Sequence, residues 1–379
     1  MTGPLIVLAA GGTGGHVFPA EALAGVLAAR GFQLALFTDR RGGAFGNAVA
    51  GLDAYRLHAA AFAGGVLRRS LALVELGRGF LEARRLVGRL APAAVVGFGG
   101  YPSIAPMIAA IRAGVPTLIH EQNAVLGRAN RLLAGRATRI ATCFSAVRGL
   151  AGVAGSRAVL TGNPVRPAIL ALRDRPLVPP AAHASFRVLV TGGSQGAAIF
   201  SRVVPAALAR LDAAQRARLA LVQQCRAEDI DSVRAAYRQS GVAAELSSFF
   251  ADLPDRLSAA HLVIGRAGAS TVAEITVAGR AAILVPYPAA ADDHQSANAA
   301  ALANEGAAWV MAQDDFTPAA LAARLAALMN DPAEIVVRAG RAGALGRPRA
   351  TEHLADLVGM LAAEPPVAAH KHTSMGLAA

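Results

Sequence analysis

An α/β fold made of two parallel-sheet units is what this sequence predicts, on three observations. Short apolar runs alternate with helix-like stretches from end to end, the pattern of strands joined by crossover helices. The pattern restarts near residue 186 with the same opening: a strand, a Gly-Gly-Ser/Thr loop, then a helix. At 379 residues the chain is too long for one ordinary core, so two domains of about 150–190 residues are expected.

The first unit opens with an apolar strand over residues 5–10. It runs straight into Gly11-Gly12-Thr13-Gly14-Gly15-His16-Val17-Phe18. Four glycines leave backbone N–H groups bare to face an anion. A loop built only for phosphate has no need of His16. A helix follows over 20–30, stopped by Gly31, and a second strand over 33–38 ends at Asp39. Residues 40–51 are glycine-rich and loop-like. Residues 94–97 form a strand before a second glycine turn, Gly97-Phe98-Gly99-Gly100-Tyr101. The strand over 115–120 carries His120-Glu121-Gln122-Asn123 at its carboxyl end, where open α/β sheets place their sites. Residues 159–166 close the unit, and the Pro- and Ala-rich stretch 167–185 is expected to be a linker.

In the second unit a strand over 186–190 precedes Thr191-Gly192-Gly193-Ser194-Gln195-Gly196 and a helix over 197–211. Strands are expected over 219–224, 244–250 and 261–264. A turn over 265–271 leads to a helix from Val272, and 282–286 is the last clear strand. Residues 292–295 open a further helix, 317–330 and 349–362 are helical, and 364–379 is expected to be a flexible tail. The two glycine-loop openings make a weak internal repeat of two Rossmann-like units.

The net charge is +12, and seventeen arginines against six acids place nearly all of it in residues 1–165. Such a balance suits an anionic partner; an arginine-rich proteome would give the same excess. Aromatics are only 5%, with no helix-turn-helix or zinc-finger pattern, so a membrane surface is favoured over nucleic acid. Residues 62–90 interleave Phe62, Val66, Leu67, Leu71, Leu73, Val74, Leu76 and Phe80 with six arginines, which is what an interfacial helix needs. The same stripe also fits a surface helix whose apolar face is core. The longest apolar region, 91–119, is broken by glycines and prolines, so any membrane contact is peripheral. No signal peptide is expected. Cys143 and Cys225 have no C-x-x-C partner and fit buried thiols in a reducing compartment.

Hydride transfer is a poor fit. Gly12-x-Gly14-x-x-Val17 lacks the third glycine of a dinucleotide fingerprint, although Asp39 stands where a ribose-binding acid would. Glu274, beside Gly268-Ala269-Ser270-Thr271, can accept both hydroxyls of a ribose; by itself it could equally complement a helix dipole. His294 and Gln295 suit sugar hydroxyls. Asp292-Asp293 are adjacent rather than alternating, and no metal site or cofactor is expected.

Seven motifs occur in order: residues 11–19, Gly99-Gly100-Tyr101, His120-Glu121-Gln122-Asn123, Gly162-Asn163-Pro164-Val165-Arg166, residues 192–196, residues 266–274 and Asp293-His294-Gln295-x-x-Asn298-Ala299. Together they resemble the undecaprenyldiphospho-muramoylpentapeptide β-N-acetylglucosaminyltransferase family (MurG). The resemblance implies a GT-B fold, two Rossmann-like parallel-sheet domains facing each other across a cleft. They would span 1–166 and 167–345, with a helix over about 346–363 packing back on the first. It implies inverting transfer of N-acetylglucosamine (GlcNAc) from UDP-GlcNAc to the muramoyl C4 hydroxyl of lipid I, giving lipid II and UDP. It places the work at the cytoplasmic face of the inner membrane, with other cell-wall synthesis proteins as further partners. On matching positions, His16 falls on the general base. Thr13, Gly14, Gly15, Asn123, Arg166, Ser194, Phe250, Ala269, Ser270, Thr271, Glu274 and Gln295 fall on UDP-GlcNAc contacts. Phe250 would act through its backbone, and His294 shares the role of Gln295. Alternatives are a UDP-sugar epimerase of the same fold, or a non-catalytic sugar-nucleotide-binding membrane protein.

Overall fold

The computed structural model describes residues 3–11, 14–39, 52–59, 66–175, 177–181, 184–193 and 196–364. The expected loop over 40–51, the sites Thr13 and Ser194, Phe62, and the tail beyond Glu364 lie outside them, as do the side chains of Val66, Leu67, Leu71 and Leu73.

Two parallel sheets form the frame. The first is built from β1 (Leu5–Ala9), β2 (Gln33–Asp39), β3 (Asp53–Leu57), β4 (Ala94–Gly97), β5 (Thr117–Glu121), β6 (Arg139–Thr142) and β7 (Ala158–Leu160). Its strand order is β3-β2-β1-β4-β5-β6-β7. The second comprises β8 (Phe186–Thr191), β9 (Leu219–Gln224), β10 (Ala244–Ser247), β11 (Leu262–Gly265), β12 (Ala281–Leu284) and β13 (Trp309–Val310), in the order β10-β9-β8-β11-β12-β13. In each sheet the chain starts in the middle, winds one way, then returns and winds the other. The order reverses between β1 and β4 and again between β8 and β11. Open parallel sheets take their ligands at the carboxyl ends of such a pair, because the crossover helices diverge there and leave a crevice.

Strands β1, β4 and β5 are buried almost throughout, as expected of strands covered on both faces. One face of the first sheet packs Ile6, Leu8 and Val96 against Leu23 and Leu27 of helix Gly14–Ala29. Leu354, Val358 and Leu361 of helix Ala350–Ala363 join that same cluster. The end of the chain thus returns to the first sheet, and Arg30 pairs with Asp356 at 2.8 Å. The crossing needs a glycine. Gly162 has φ +90°, and a Cβ there would lie 2.5 Å from the Cβ of Arg347.

The other face carries helix Val66–Leu90, which packs on helix Tyr101–Arg112. Ala83 and Val87 are buried in the cluster under it, and Phe80, Leu86 and Leu90 pack against that cluster. Part of the apolar stripe is therefore core. Val74 and Leu81 remain 53% and 52% exposed, and Arg78, Arg84 and Arg85 stand outside. Among the described residues no helix is long and apolar enough to cross a membrane.

Several boundaries differ from the sequence expectation. Helix Gly14–Ala29 starts six residues early, and helix Ala269–Val277 three residues early. Glycine and small polar residues tolerate a first helical turn, whose N–H groups need no intrahelical acceptor. β3, β6 and β13 were not expected; their two to five residues are too short for periodicity to register. The expected linker begins as helix Pro167–Leu170, with Ile169 and Leu172 buried in the second domain's core.

Candidate active site

His16 does not sit in a loop. It lies in the first turn of helix Gly14–Ala29, directly after β1 and beside Gly14 and Gly15. Its imidazole rests on the turn that follows β4. Gly99 and Gly100 have φ +84° and +72°, and added Cβ atoms would come within 3.5 Å of His16 Nε2 and 3.3 Å of Nδ1. Only glycine supplies that backbone conformation and that clearance together. Burial lowers the His16 pKa below its ordinary value. A hydrogen bond with the Gly11 backbone partly offsets this, and the charge of His294 lowers it further.

The expected polar cluster at the end of β5 divides in two. His120, Glu121 and Gln122 are buried. Gln122 Nε2 donates to the Phe98 carbonyl at 2.9 Å and to His120 Nδ1 at 3.1 Å, which leaves His120 Nε2 to donate to the Gly162 carbonyl at 3.3 Å. Glu121 accepts from the backbone N–H of Asn123 at 3.0 Å, of Gly127 at 2.8 Å, and from Asn130 Nδ2 at 2.8 Å. Three of the quartet thus hold loops in place, and only Asn123 reaches the cleft.

Burial pushes both His120 and His261 down to about 4. A depressed histidine stabilises the fold fully above its unfolded value of 6.5, and that stabilisation is lost as pH falls toward 4. Urea unfolding should therefore show stability falling from pH 6.5 to 4.5 with a slope approaching one proton per histidine, for a total loss of a few kcal/mol. A flat profile over that range would mean that the two rings are charged in the fold.

The second domain presents its own switch-point loops. Gln224 organises the one after β8: its Oε1 accepts from the Gly192 N–H at 3.2 Å and from Thr191 Oγ1 at 3.0 Å, and its Nε2 donates to the Gly193 carbonyl at 3.0 Å. After β11, helix Ala269–Val277 begins at Gly268 with no side chain capping it. The N–H groups of Ala269, Ser270 and Thr271 therefore point at the cleft from the positive end of a helix. Glu274 is one turn further on. Arg166, from the segment joining the domains, donates to Glu274 Oε1 from Nη2 at 2.8 Å and Nε at 3.0 Å. Burial still holds the Glu274 carboxyl above the usual range, with Arg166 opposing. Phe250 is buried under the Arg256 guanidinium, 4.2 Å above its ring. Gln295 Oε1 accepts from the Tyr287 N–H at 3.0 Å, and His294 Nδ1 donates to the Ala291 carbonyl at 2.8 Å.

The two halves meet. Asn298 Oδ1 accepts from the Ala124 N–H at 2.8 Å, while its Nδ2 donates to Asn123 Oδ1 and to the Ala267 carbonyl, each at 3.0 Å. One buried amide thus ties the end of β5 to the end of β11.

Family models for the glycosyltransferase family 28 N-terminal and C-terminal domains match residues 6–142 and 187–354. A UDP-N-acetylglucosamine--N-acetylmuramyl-(pentapeptide) pyrophosphoryl-undecaprenol N-acetylglucosamine transferase of Rhodospirillum centenum is 57% identical over 93% of each chain. The protein of that name from Paramagnetospirillum magneticum is also 57% identical, over 94% of this chain and 96% of its own. The crystal structure of Acinetobacter baumannii MurG superposes with a TM-score of 0.77 at 32% identity, covering 94% of this chain and 99% of that one. This chain belongs to the MurG family.

The two parallel-sheet domains with paired switch points are thus the GT-B frame of the MurG family. Of the residues that the resemblance singled out, His16, Asn123, Arg166, Ala269, Ser270, Thr271, Glu274 and Gln295 lie on loops and helix starts at the carboxyl ends of the two sheets. Sequence reasoning missed Asn298 and Gln224 as the residues that hold these loops. Asn298 could have been found: it lies one helical turn after Gln295, on the same face. Gln224 gave no signal, since its partner loop is 31 residues away.

Proposed function

We propose that this protein moves GlcNAc from UDP-GlcNAc to the muramoyl sugar of lipid I, forming lipid II and UDP as an inverting glycosyltransferase. The observation that carries the reading is the pairing of the two switch points. An imidazole of lowered pKa stands on one side; an uncapped helix start and the Glu274 carboxylate stand on the other.

The donor lies on the second domain. Glu274 accepts the ribose hydroxyls, and Phe250 offers backbone to the uracil. The N–H groups of Ala269, Ser270 and Thr271, with Ser194 and Arg166, take the diphosphate. Thr13, Gly14, Gly15, Asn123 and Gln295 border the sugar, with His294 beside Gln295. His16 removes the proton from the acceptor C4 hydroxyl as its oxygen attacks the anomeric carbon. The bond from that carbon to the UDP oxygen breaks, and the negative charge arising on UDP is met by donors already in place. Attack opposite the leaving group inverts the anomeric centre and gives a β-1,4 link.

UDP release should depend on a muramoyl-diphospholipid acceptor as well as on UDP-GlcNAc. Equal hydrolysis or epimerisation of UDP-GlcNAc without acceptor would instead favour an epimerase, and donor binding with no turnover a non-catalytic carrier.

The acceptor is a lipid, so we further propose that the arginine-rich first domain rests on the anionic cytoplasmic surface of the inner membrane, with Val74, Leu81, Arg84 and Arg85 on the contacting helix. Changing Arg68, Arg69, Arg84 and Arg85 to Gln should weaken binding to anionic vesicles, at about 1 kcal/mol per charge. Binding equal to wild type would remove this helix from the membrane contact.

A further inference from the structure

Between β12 and helix His294–Asn304 the chain passes through two consecutive left-handed residues, neither of them glycine. Asp292 has φ 53° and Asp293 φ 54°. Asp292 does not face solvent freely. Its carboxylate accepts from Arg128 Nη2 at 3.2 Å and from Arg131 Nη2 at 3.4 Å, and its carbonyl accepts from Arg148 Nη2 at 2.7 Å. All three arginines belong to the first domain. Arg128 and Arg131 project from one face of helix Arg128–Leu133, and Arg148 pairs its own segment with Val125. This is a clasp from one domain onto a single residue of the other.

We infer that Asp292 is a positioning residue whose clasp by Arg128, Arg131 and Arg148 sets the start of helix His294–Asn304 against His16 when the domains close. Asp292 lies two residues before His294 and three before Gln295. A shift of Asp292 therefore moves both side chains relative to the imidazole on the other side of the cleft. His294 acts electrostatically on His16 from the other domain, so the helix start that the clasp holds borders the candidate base. The Arg128 and Arg131 side chains are half exposed or more, and Arg148 is exposed. Each pair alone is weak, which suits a clasp that must open to exchange substrate and product. The left-handed turn shortens the link between Asp292 and the helix, so little slack separates the clasp from its load. The inference rests on the reading of this cleft as the site of transfer.

Asp292→Asn tests it, because asparagine keeps the left-handed backbone and removes the charge. The variant should lose about tenfold in kcat with donor KM within about twofold of wild type. The double variant Arg128→Gln/Arg131→Gln should show the same loss, and adding Asp292→Asn to it should cost nothing more. Activity of wild type should fall with ionic strength more steeply than that of Asp292→Asn. Unchanged kcat, additive losses, or a rise in donor KM alone would each overturn the inference. Should wild type fail to transfer GlcNAc at all, it is the proposed reaction that falls. Small-angle scattering with UDP-GlcNAc then decides the clasp: a larger radius of gyration for Asp292→Asn supports it, and an identical one refutes it.

Discussion

His16→Ala should lower kcat by about 10²–10⁴-fold, the usual contribution of a positioned general base, while the affinity for UDP-GlcNAc stays near wild type. The split follows from position. His16 stands on the first domain, on the turn at Gly99–Gly100, and the uncapped helix start that we assign to the diphosphate stands on the second. The pH profile carries a second check. A base works in its neutral form, and burial plus the nearby His294 hold His16 neutral to lower pH than a free imidazole. The acid limb of kcat/KM should therefore lie below pH 6.5, with activity rising as pH passes upward through it. His294→Gln removes one of the two lowering influences and should move that limb toward 6.5. A full-rate alanine variant, or an acid limb above pH 6.5, would reduce His16 to a helix-start residue.

The second large effect is expected at Glu274. Glu274→Gln keeps the shape of the side chain but loses the charge that accepts from Arg166 and, in our reading, from two ribose hydroxyls. Charged hydrogen bonds contribute about 1.5–3 kcal/mol each, so the donor KM should rise by roughly a hundredfold. The loss should fall on KM more than on kcat, because the ribose is remote from the breaking bond. Arg166→Gln should behave differently and lower kcat as well, since in our reading its guanidinium faces the leaving diphosphate. Isothermal titration with UDP separates the cases: UDP binding should collapse for Glu274→Gln. Unaltered UDP affinity in that variant would limit Glu274 to tethering Arg166.

The fold was legible because its signals are local. Buried parallel strands are continuous apolar runs, and each switch point announces itself by glycines where β1, β4 and β8 end. The glycine turns of the candidate site were legible for a related reason. A backbone that must approach phosphate or an imidazole closely has few residue types open to it. The short edge strands β3 and β13 left no such mark, and neither did the true helix starts at Gly14 and Ala269, since helix N-termini tolerate almost any small residue.

What the sequence determined by itself was the two-sheet plan, the glycine turns and the candidacy of His16, Arg166 and Glu274. All but Arg166, which the resemblance to the family supplied, follow from chain-local chemistry, periodicity in the strands and restricted residue choice in the loops. Only the tertiary structure decided which polar residues work and which support. His120, Glu121 and Gln122 look as exposed in the sequence as Asn123, yet three are buried as fixings and one faces the cleft. It alone brought Arg166 to Glu274 across 108 residues, Asn298 to Asn123 across 175, and Arg128 to Asp292 across 164. The reason is physical. The value of a charge or an amide depends on what desolvates and faces it, and those partners come from other loops or from the other domain, at separations that no sequence period encodes.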